Sequence, residues 1–145
     1  MCDTCVWAHG ETIKGKLEIM HFSAPIPVLR IFDEEKAREF YVGFLGFTID
    51  WEHRFEPDLP IYMQIRMGDA VMHLSEHFGD ATPGSGVRIA CEDVDAYCAG
   101  LRAKGYKNSR PGVQDQPWGF RETTIADPFG NRITFATENP KADAQ

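Results

Sequence analysis

The sequence is short of basic residues. Fifteen Lys and Arg side chains are set against 22 Asp and Glu side chains, which gives the 145-residue chain a formal net charge of −7. A nucleic-acid-binding surface needs clustered positive charge, and so does attachment to anionic lipid. We therefore expect neither a nucleic acid nor a membrane surface as a partner.

Long apolar runs are also missing. No segment approaches the roughly 20 apolar residues that cross a bilayer. The first 21 residues carry charged side chains, among them Asp3, Glu11, Lys14 and Lys16, and lack the apolar core of a secretory signal peptide. Four cysteines are too few for a disulfide scaffold. These features predict a cytoplasmic protein with reduced cysteines.

Several motifs of well-known enzymes are absent. The sequence contains no Gly-x-Ser-x-Gly elbow, no Walker loop and no dinucleotide-binding glycine fingerprint. Cys2 and Cys5, followed by His9, could supply three zinc ligands, but the second half of a zinc motif is missing. We interpret this segment as part of a terminal extension and assign no catalytic residue.

The chain is nevertheless rich enough in apolar residues to build one domain, since 43% of it is hydrophobic and 12% aromatic. We expect a single domain over residues 24–140, with a short tail over 141–145. Residues 1–23 are expected to form either a poorly ordered extension or an arm across a partner subunit.

An internal repeat organises this domain. Leu29-Arg30-Ile31, a helix and Leu45-Gly46-Phe47 are matched by Val87-Arg88-Ile89, a helix and Lys104-Gly105-Tyr106. The match predicts two βαβββ modules, about residues 24–78 and 86–137. Asp33 and Asp93 are the expected N-caps of the two helices. The predicted helices begin after these caps and end at Gly46 and Gly105, and the predicted strands cover 25–32, 47–55, 61–67, 70–77, 87–91, 110–113, 120–126 and 131–136.

Apolar and polar residues alternate along most of these strands. Leu29 and Ile31, for example, alternate with Val28 and Arg30. One side of each strand should therefore pack against a helix. The other side carries Tyr, Gln, His, Ser, Thr and Arg, a composition that suits either a ligand-binding concavity or a merely solvated sheet face.

Four short motifs then occur in a fixed order: Asp33-Glu34-Glu35-Lys36-Ala37-Arg38-Glu39-Phe40-Tyr41, Leu45-Gly46-Phe47, Gln116-Pro117-Trp118-Gly119 and Asp127-Pro128-Phe129-Gly130-Asn131. Over roughly residues 26–137 the sequence resembles the vicinal oxygen chelate superfamily and, within it, the glyoxalase/bleomycin-resistance-protein branch. The resemblance implies an α+β fold in which two βαβββ modules form a half-open, eight-stranded cup. It also implies a homodimer.

The resemblance locates the four positions at which enzymes of the superfamily hold a divalent metal through His or Glu. These positions fall at Ile26, His73, Gly86 and Thr134. Isoleucine and glycine side chains cannot coordinate a metal, and threonine is a poor neutral ligand. Only His73 keeps a suitable side chain, so we expect neither a metal nor another cofactor.

By the same resemblance, drug-binding members of the branch hold bulky cationic, planar glycopeptides in grooves at a dimer interface. Aromatic stacking and cation–π contacts suit this task. Trp118, in a polar loop, is the strongest candidate ligand contact. The other candidates are His73, Tyr62, Gln64, Trp51, Arg30, Arg88, Thr134 and Phe120. Asp50, Glu52, Glu56 and Asp58 lie near Trp51 in the sequence and would supply negative charge. Neither Glu122 nor Asp50 has an identifiable partner in the sequence.

Three hypotheses follow. The first is a metal-free, dimeric protein that sequesters a small molecule such as a bleomycin-type antibiotic. The second is a metal-dependent enzyme of the glyoxalase or dioxygenase type with an unusual ligand set. The third is a binding module for an unrelated metabolite.

Overall fold

The computed structural model describes residues 19–139, and its elements follow the predicted order. Each half of the domain contains one strand, one helix and three further strands. The elements are β1 (Val28–Arg30), helix α1 (Glu34–Ala37, continued in π-helical form over Arg38–Phe44), β2 (Thr48–His53), β3 (Tyr62–Met67), β4 (Ala70–Ser75), β5 (Gly86–Ala90), helix α2 (Val94–Ala103), β6 (Gln114–Asp115), β7 (Phe120–Ala126) and β8 (Arg132–Glu138).

The eight strands form two four-stranded sheets with the same topology. The strand order is β1-β4-β3-β2 in the first sheet and β5-β8-β7-β6 in the second. In each sheet the first strand pairs in parallel with the last strand of its module, and the remaining pairs are antiparallel. This arrangement confirms the predicted α+β fold with two βαβββ modules.

Local sequence signals set the ends of both helices. The side chain of Asp33 accepts a hydrogen bond from the Lys36 amide, and the side chain of Asp93 accepts one from the Ala96 amide. Such caps satisfy amides at a helix start that have no partner within the helix. Gly46 follows α1 with a φ of 96°, a conformation that favours glycine.

Beyond differences at the ends of strands, two predicted elements differ from the observed ones in type or position. Helix α1 is π-helical over Arg38–Phe44, and the Leu45 amide donates to the carbonyl of Phe40. The aromatic rings of Phe40, Tyr41 and Phe44 are all buried there. The predicted strand over 110–113 is wrong, because the short strand β6 lies at Gln114–Asp115. Pro111 has no amide hydrogen for a sheet, and pairing with β7 begins only at Gln114.

One core joins the two modules. The buried residues of both sheets and both helices form a single hydrophobic cluster. The rings of Phe44 and Tyr106 stack with centroids 4.6 Å apart, and the Tyr97 hydroxyl donates to the Leu45 carbonyl. The buried Tyr41 hydroxyl donates to Asp127 at 2.6 Å. Because the apolar sides of both sheets face this core, their polar sides face away from it.

Some sequence features lie outside the described residues. These are the Cys2, Cys5 and His9 group, the first 18 residues of the predicted extension and the tail over 141–145. Within residues 19–139, no helix is both long and apolar enough to span a membrane.

Candidate ligand-binding faces

The outward side of the first sheet, here called the N-terminal face, gathers five of the predicted site residues. Strand register places Tyr62 beside Ser75, Gln64 beside His73 and Arg30 beside Ser75. Trp51 lies opposite Gln64 on the neighbouring strand. The N-terminal face therefore carries Arg30, Trp51, Tyr62, Gln64 and His73.

A β-bulge in β2 determines where Trp51 points. Ile49 pairs with Ile65, but the next pair joins Trp51 to Gln64, so Asp50 is the extra residue. Strict alternation would turn Trp51 toward the same side as Ile49, which packs against the core. The bulge instead places the Trp51 ring parallel to the Tyr62 ring, with centroids 6.0 Å apart.

A chain of hydrogen bonds runs across the N-terminal face. The Tyr62 hydroxyl lies 2.7 Å from His73 Nδ1, and His73 Nε2 lies 2.9 Å from Gln64 Oε1. The Gln64 amide nitrogen donates to Asp50 at 2.8 Å. Since Gln64 donates to Asp50, its oxygen must accept from His73 Nε2–H, and Nδ1 then accepts from Tyr62. In a neutral imidazole, this assignment leaves both ring nitrogens of His73 in use.

Burial agrees with a neutral imidazole at this position. Partial desolvation lowers the pKa of His73 below its ordinary value of 6.5. Burial, followed by the negative charge of Asp80, raises the pKa of the Tyr62 phenol. Both side chains are therefore uncharged near neutral pH, and the central part of the N-terminal face is polar but neutral.

Arg30 lies at the β1 edge of this face. Its guanidinium stands 4.7 Å from the centroid of the Phe32 ring, in cation–π geometry. It also donates weakly to the Ser75 carbonyl, at 3.4 Å. Arg30 is thus placed on the predicted face, although Phe32 and Ser75 already hold it.

The outward side of the second sheet, the C-terminal face, gathers the other four predicted residues around one carboxylate. Arg88 donates to Glu122, and the Trp118 indole nitrogen donates to the same carboxylate oxygen at 2.7 Å. The Arg88 guanidinium lies 5.7 Å from the centroid of the Phe120 ring. The C-terminal face therefore carries Arg88, Trp118, Phe120, Glu122 and Thr134.

Glu122 is the anchor of this face. Only 6% of its surface is exposed, because Trp118 and Arg88 cover it, whereas Trp118 itself is 57% exposed. The hydrogen bond from Arg88, supported by that from Trp118, holds the pKa of Glu122 below its ordinary value. The expectation that Glu122 and Asp50 lack partners is wrong, since Asp50 also accepts bonds from Gln64 and Arg66.

The predicted residues form two groups rather than one. Among the described residues, no hydrogen bond, ion pair or ring contact links the N-terminal face to the C-terminal face. Each group lies on the side of its sheet that faces away from the shared core. A single chain therefore presents two separate aromatic surfaces.

The four positions that correspond to the metal ligands of the superfamily's enzymes do not fit a metal. His73 is on the N-terminal face with both nitrogens hydrogen-bonded, and Ile26 precedes β1. Gly86 and Thr134 are on the second sheet, where the Thr134 hydroxyl is 2.8 Å from that of Thr124. Across residues 19–139, no three His, Cys, Asp or Glu side chains are grouped to hold an ion.

Sequence reasoning missed a groove at one end of the N-terminal face. It has a volume of about 460 Å³ and is lined by Trp51, His53, Phe55, Tyr62, His77 and Asp80. The loops that close it follow β2 and β4, and alternation within strands does not extend to loops. Of the acidic residues predicted near Trp51, Glu52 pairs with Arg38 of α1 and lies opposite the buried Met63.

Comparison with known proteins identifies the family of this chain. The sequence-family model of the glyoxalase superfamily matches residues 10–142. Among solved structures, TnmS3, an antibiotic binding protein from Streptomyces sp. CB03234, is 26% identical, with a TM-score of 0.60 over 83% of this chain and 100% of that chain. No curated protein matches the sequence.

Two bleomycin-binding proteins are also similar. The protein from the bleomycin-producing Streptomyces verticillus, in complex with copper(II)-bleomycin, is 28% identical, with a TM-score of 0.59 over 81% of this chain and 97% of that chain. A second, in complex with bleomycin, is 18% identical with a TM-score of 0.62 over 81% and 100%, which is a likeness of fold. With most of its length matched by the family model, the chain belongs to the glyoxalase superfamily, the vicinal oxygen chelate proteins whose motifs it carries.

Proposed function

We propose that this protein binds and sequesters a cationic aromatic small molecule of the bleomycin type, without a metal and without breaking a bond. The observation that carries the proposal is that the polar groups of both faces are used to hold exposed aromatic rings. His73 holds Tyr62 beneath Trp51, and Glu122 holds Trp118. Rings fixed in advance reduce the entropy cost of binding a planar ligand.

The two antibiotic-binding structures above 25% identity support this class of ligand. The donor set argues against the metal-dependent alternative, because Ile26 and Gly86 have no ligating atoms in their side chains and His73 has no free nitrogen. The hydrogen bonds of His73 and Glu122 join side chains of the face to one another. They give a positioning role and no evident acid–base or nucleophilic one.

We further propose that the binding groove is completed by a second copy of the chain. Each chain presents two half-open aromatic surfaces, and Trp51 and Trp118 are 43% and 57% exposed. A two-fold dimer that set the N-terminal face of one subunit against the C-terminal face of its partner would form two equal grooves. Each groove would then enclose a planar ligand between Trp51 and Trp118.

Calorimetric titration with metal-free bleomycin, with tryptophan fluorescence as a second signal, tests the proposal. We expect saturable binding with one ligand per chain and quenching of the fluorescence. Trp118→Ala should weaken binding about ten-fold or more, because truncation of a central tryptophan typically costs about 2 kcal/mol. Val42→Ala, which removes an exposed apolar side chain from α1, is the matched control and should bind as the wild type does.

Three outcomes would count against the proposal. The absence of heat and of quenching at high drug concentration would reject the ligand class. Full-affinity binding by a protein that sedimentation velocity shows to be monomeric would reject the dimer groove alone. Retention of a stoichiometric transition metal, released by His73→Ala, would favour the enzyme hypothesis instead.

A further inference from the structure

The groove at the end of the N-terminal face has a composition of its own. It lies where the end of β2, the start of β3 and the segment after β4 meet, and its volume of about 460 Å³ is within the range of small-molecule sites. Four of its lining residues, His53, Phe55, His77 and Asp80, take no part in the hydrogen-bond chain of His73.

Aromatic rings form its walls. Trp51 and Tyr62 stack on one side with an interplanar angle of 10°. Phe55 stands edge-on to His53, with centroids 4.8 Å apart, and edge-on to His77 at 6.1 Å. Phe55 is 72% exposed, so its ring is open to a ligand despite these two contacts. The groove therefore offers the faces of several rings to one volume.

A carboxylate completes the groove. One oxygen of Asp80 accepts a hydrogen bond from the Ser75 hydroxyl at 2.7 Å, and Ser75 is fully buried. The Ser75 hydroxyl in turn accepts from the His77 amide at 3.0 Å, which fixes the hydroxyl toward Asp80. Within residues 19–139, Asp80 forms no ion pair with a basic side chain. Its negative charge is therefore held in place, and no basic side chain in that part of the molecule neutralises it.

Aromatic faces around an uncompensated carboxylate are the usual means of binding an organic cation. The ring quadrupole attracts positive charge, and methylated ammonium groups, which cannot saturate themselves with hydrogen bonds, benefit most. An anionic ligand would be repelled by Asp80, and a neutral ring would gain nothing from it.

We propose that this groove is a subsite for an alkylated or protonated ammonium group, with Trp51, Phe55 and Tyr62 contacting the cation and Asp80 supplying the opposite charge. The inference rests on the proposed function in taking the N-terminal face as a ligand-binding surface, and it adds which part of the ligand binds there.

The test compares choline with 3,3-dimethylbutan-1-ol, which has the same shape but no charge. Binding to the full chain is followed at pH 8, where histidine side chains are generally neutral, through the indole N–H resonance of Trp51, assigned with Trp51→Phe. We expect choline to bind about five-fold more tightly than the alcohol, because a cation–π contact at an exposed site contributes about 0.5–1 kcal/mol. Equal affinities for the two probes would overturn the proposal.

Two variants with matched controls test which residues of the groove bind choline. Asp80→Asn should reduce the preference for choline about three-fold, whereas Asp69→Asn, in the turn at the far end of β3, should leave it unchanged. Phe55→Ala should weaken choline binding two- to five-fold. Phe78→Ala removes a phenylalanine that is 97% exposed and does not line the groove, and it should have no effect. A preference that survives both Asp80→Asn and Phe55→Ala would overturn the assignment.

The two proposals fail separately in these experiments. Bleomycin binding without a preference for choline would leave the proposed function in place and remove the ammonium subsite. A preference for choline that depends on Asp80, without bleomycin binding, would keep the subsite and reject the bleomycin-type ligand.

Discussion

The N-terminal and C-terminal faces occupy equivalent places in two modules of the same topology, yet they hold their aromatic side chains differently. On the N-terminal face a neutral imidazole links Tyr62 to Gln64 through two hydrogen bonds. On the C-terminal face a single carboxylate, Glu122, accepts from both Arg88 and Trp118. One face is organised by a hydrogen-bond chain and the other by a charge.

This difference has an energetic consequence. A hydrogen bond between neutral groups contributes about 1 kcal/mol, and one to a charged group contributes about 1.5–3 kcal/mol. Removal of one member of the hydrogen-bond chain leaves its partners able to bond to water instead, because Tyr62 and Gln64 are only partly buried. Removal of the central carboxylate also releases two partners, but both of the bonds that are lost are charge-assisted. The C-terminal face should therefore be the more sensitive of the two to a single substitution.

The largest expected effect is that of Glu122→Ala. We expect the free energy of unfolding to fall by about 2 kcal/mol, because Trp118 and Arg88 both lose their acceptor and the exposed part of Arg88 recovers some hydration. Glu122→Gln keeps an acceptor and should lose about half as much. Urea denaturation followed by circular dichroism measures both, with Glu138→Ala, an exposed residue of the same sheet, as the control.

The pH dependence checks the role of charge at Glu122. Its folded-state pKa lies below its ordinary value of 4.5, so the stability it contributes is complete above pH 4.5 and is lost as the pH falls through the folded-state value. The difference between the wild type and Glu122→Gln should shrink in that range. A difference that stays constant from pH 7 to pH 3 would show that the charge is unimportant.

The partners of Glu122 also show the limit of what could be predicted from the sequence. The module order and both helix caps follow from local signals, such as Asp33 and Asp93, each three residues before the amide that donates to its side chain. The strand alternation correctly placed Tyr62, Gln64 and His73 on one side. These features depend on residues close together in the chain, where spacing carries most of the information.

The missed features depend on contacts between distant residues. Arg88 and Glu122 are 34 positions apart, and only the arrangement of β5, β8 and β7 brings them together. The bulge at Asp50 overrides the alternation that would otherwise send Trp51 toward the core. The groove around Phe55 and Asp80 is built partly from loops, whose path no hydrophobic period predicts.

A smaller effect is expected from His73→Leu on the N-terminal face. Two neutral hydrogen bonds are lost while the leucine still fills the space, so we expect a loss of about 1 kcal/mol in the free energy of unfolding. His53→Leu, on the exposed neighbouring strand, is the control and should change little. A loss as large as that of Glu122→Ala would remove the contrast between the two faces.

The wild type and His73→Leu should also differ in their response to pH. Because the folded-state pKa of His73 lies below 6.5, the unfolded chain binds a proton first as the pH falls. The stability contributed by His73 is therefore complete above pH 6.5 and is lost as the pH falls through the folded-state value. His73→Leu should lack this loss, and the two faces would then weaken in separate pH ranges.

The smallest expected effect is that of Asp50→Asn, at the exposed end of the chain of hydrogen bonds. An asparagine oxygen can still accept from Gln64, so we expect no measurable change in stability. The imidazole titration of His73, followed by NMR, should also be unchanged, because burial and not a neighbouring charge lowers its pKa. A further fall in that pKa would mean that the Asp50 charge reaches His73 through Gln64. The N-terminal face would then depend on a carboxylate as the C-terminal face does, and the two would differ only in how far the charge lies from the ring that it holds.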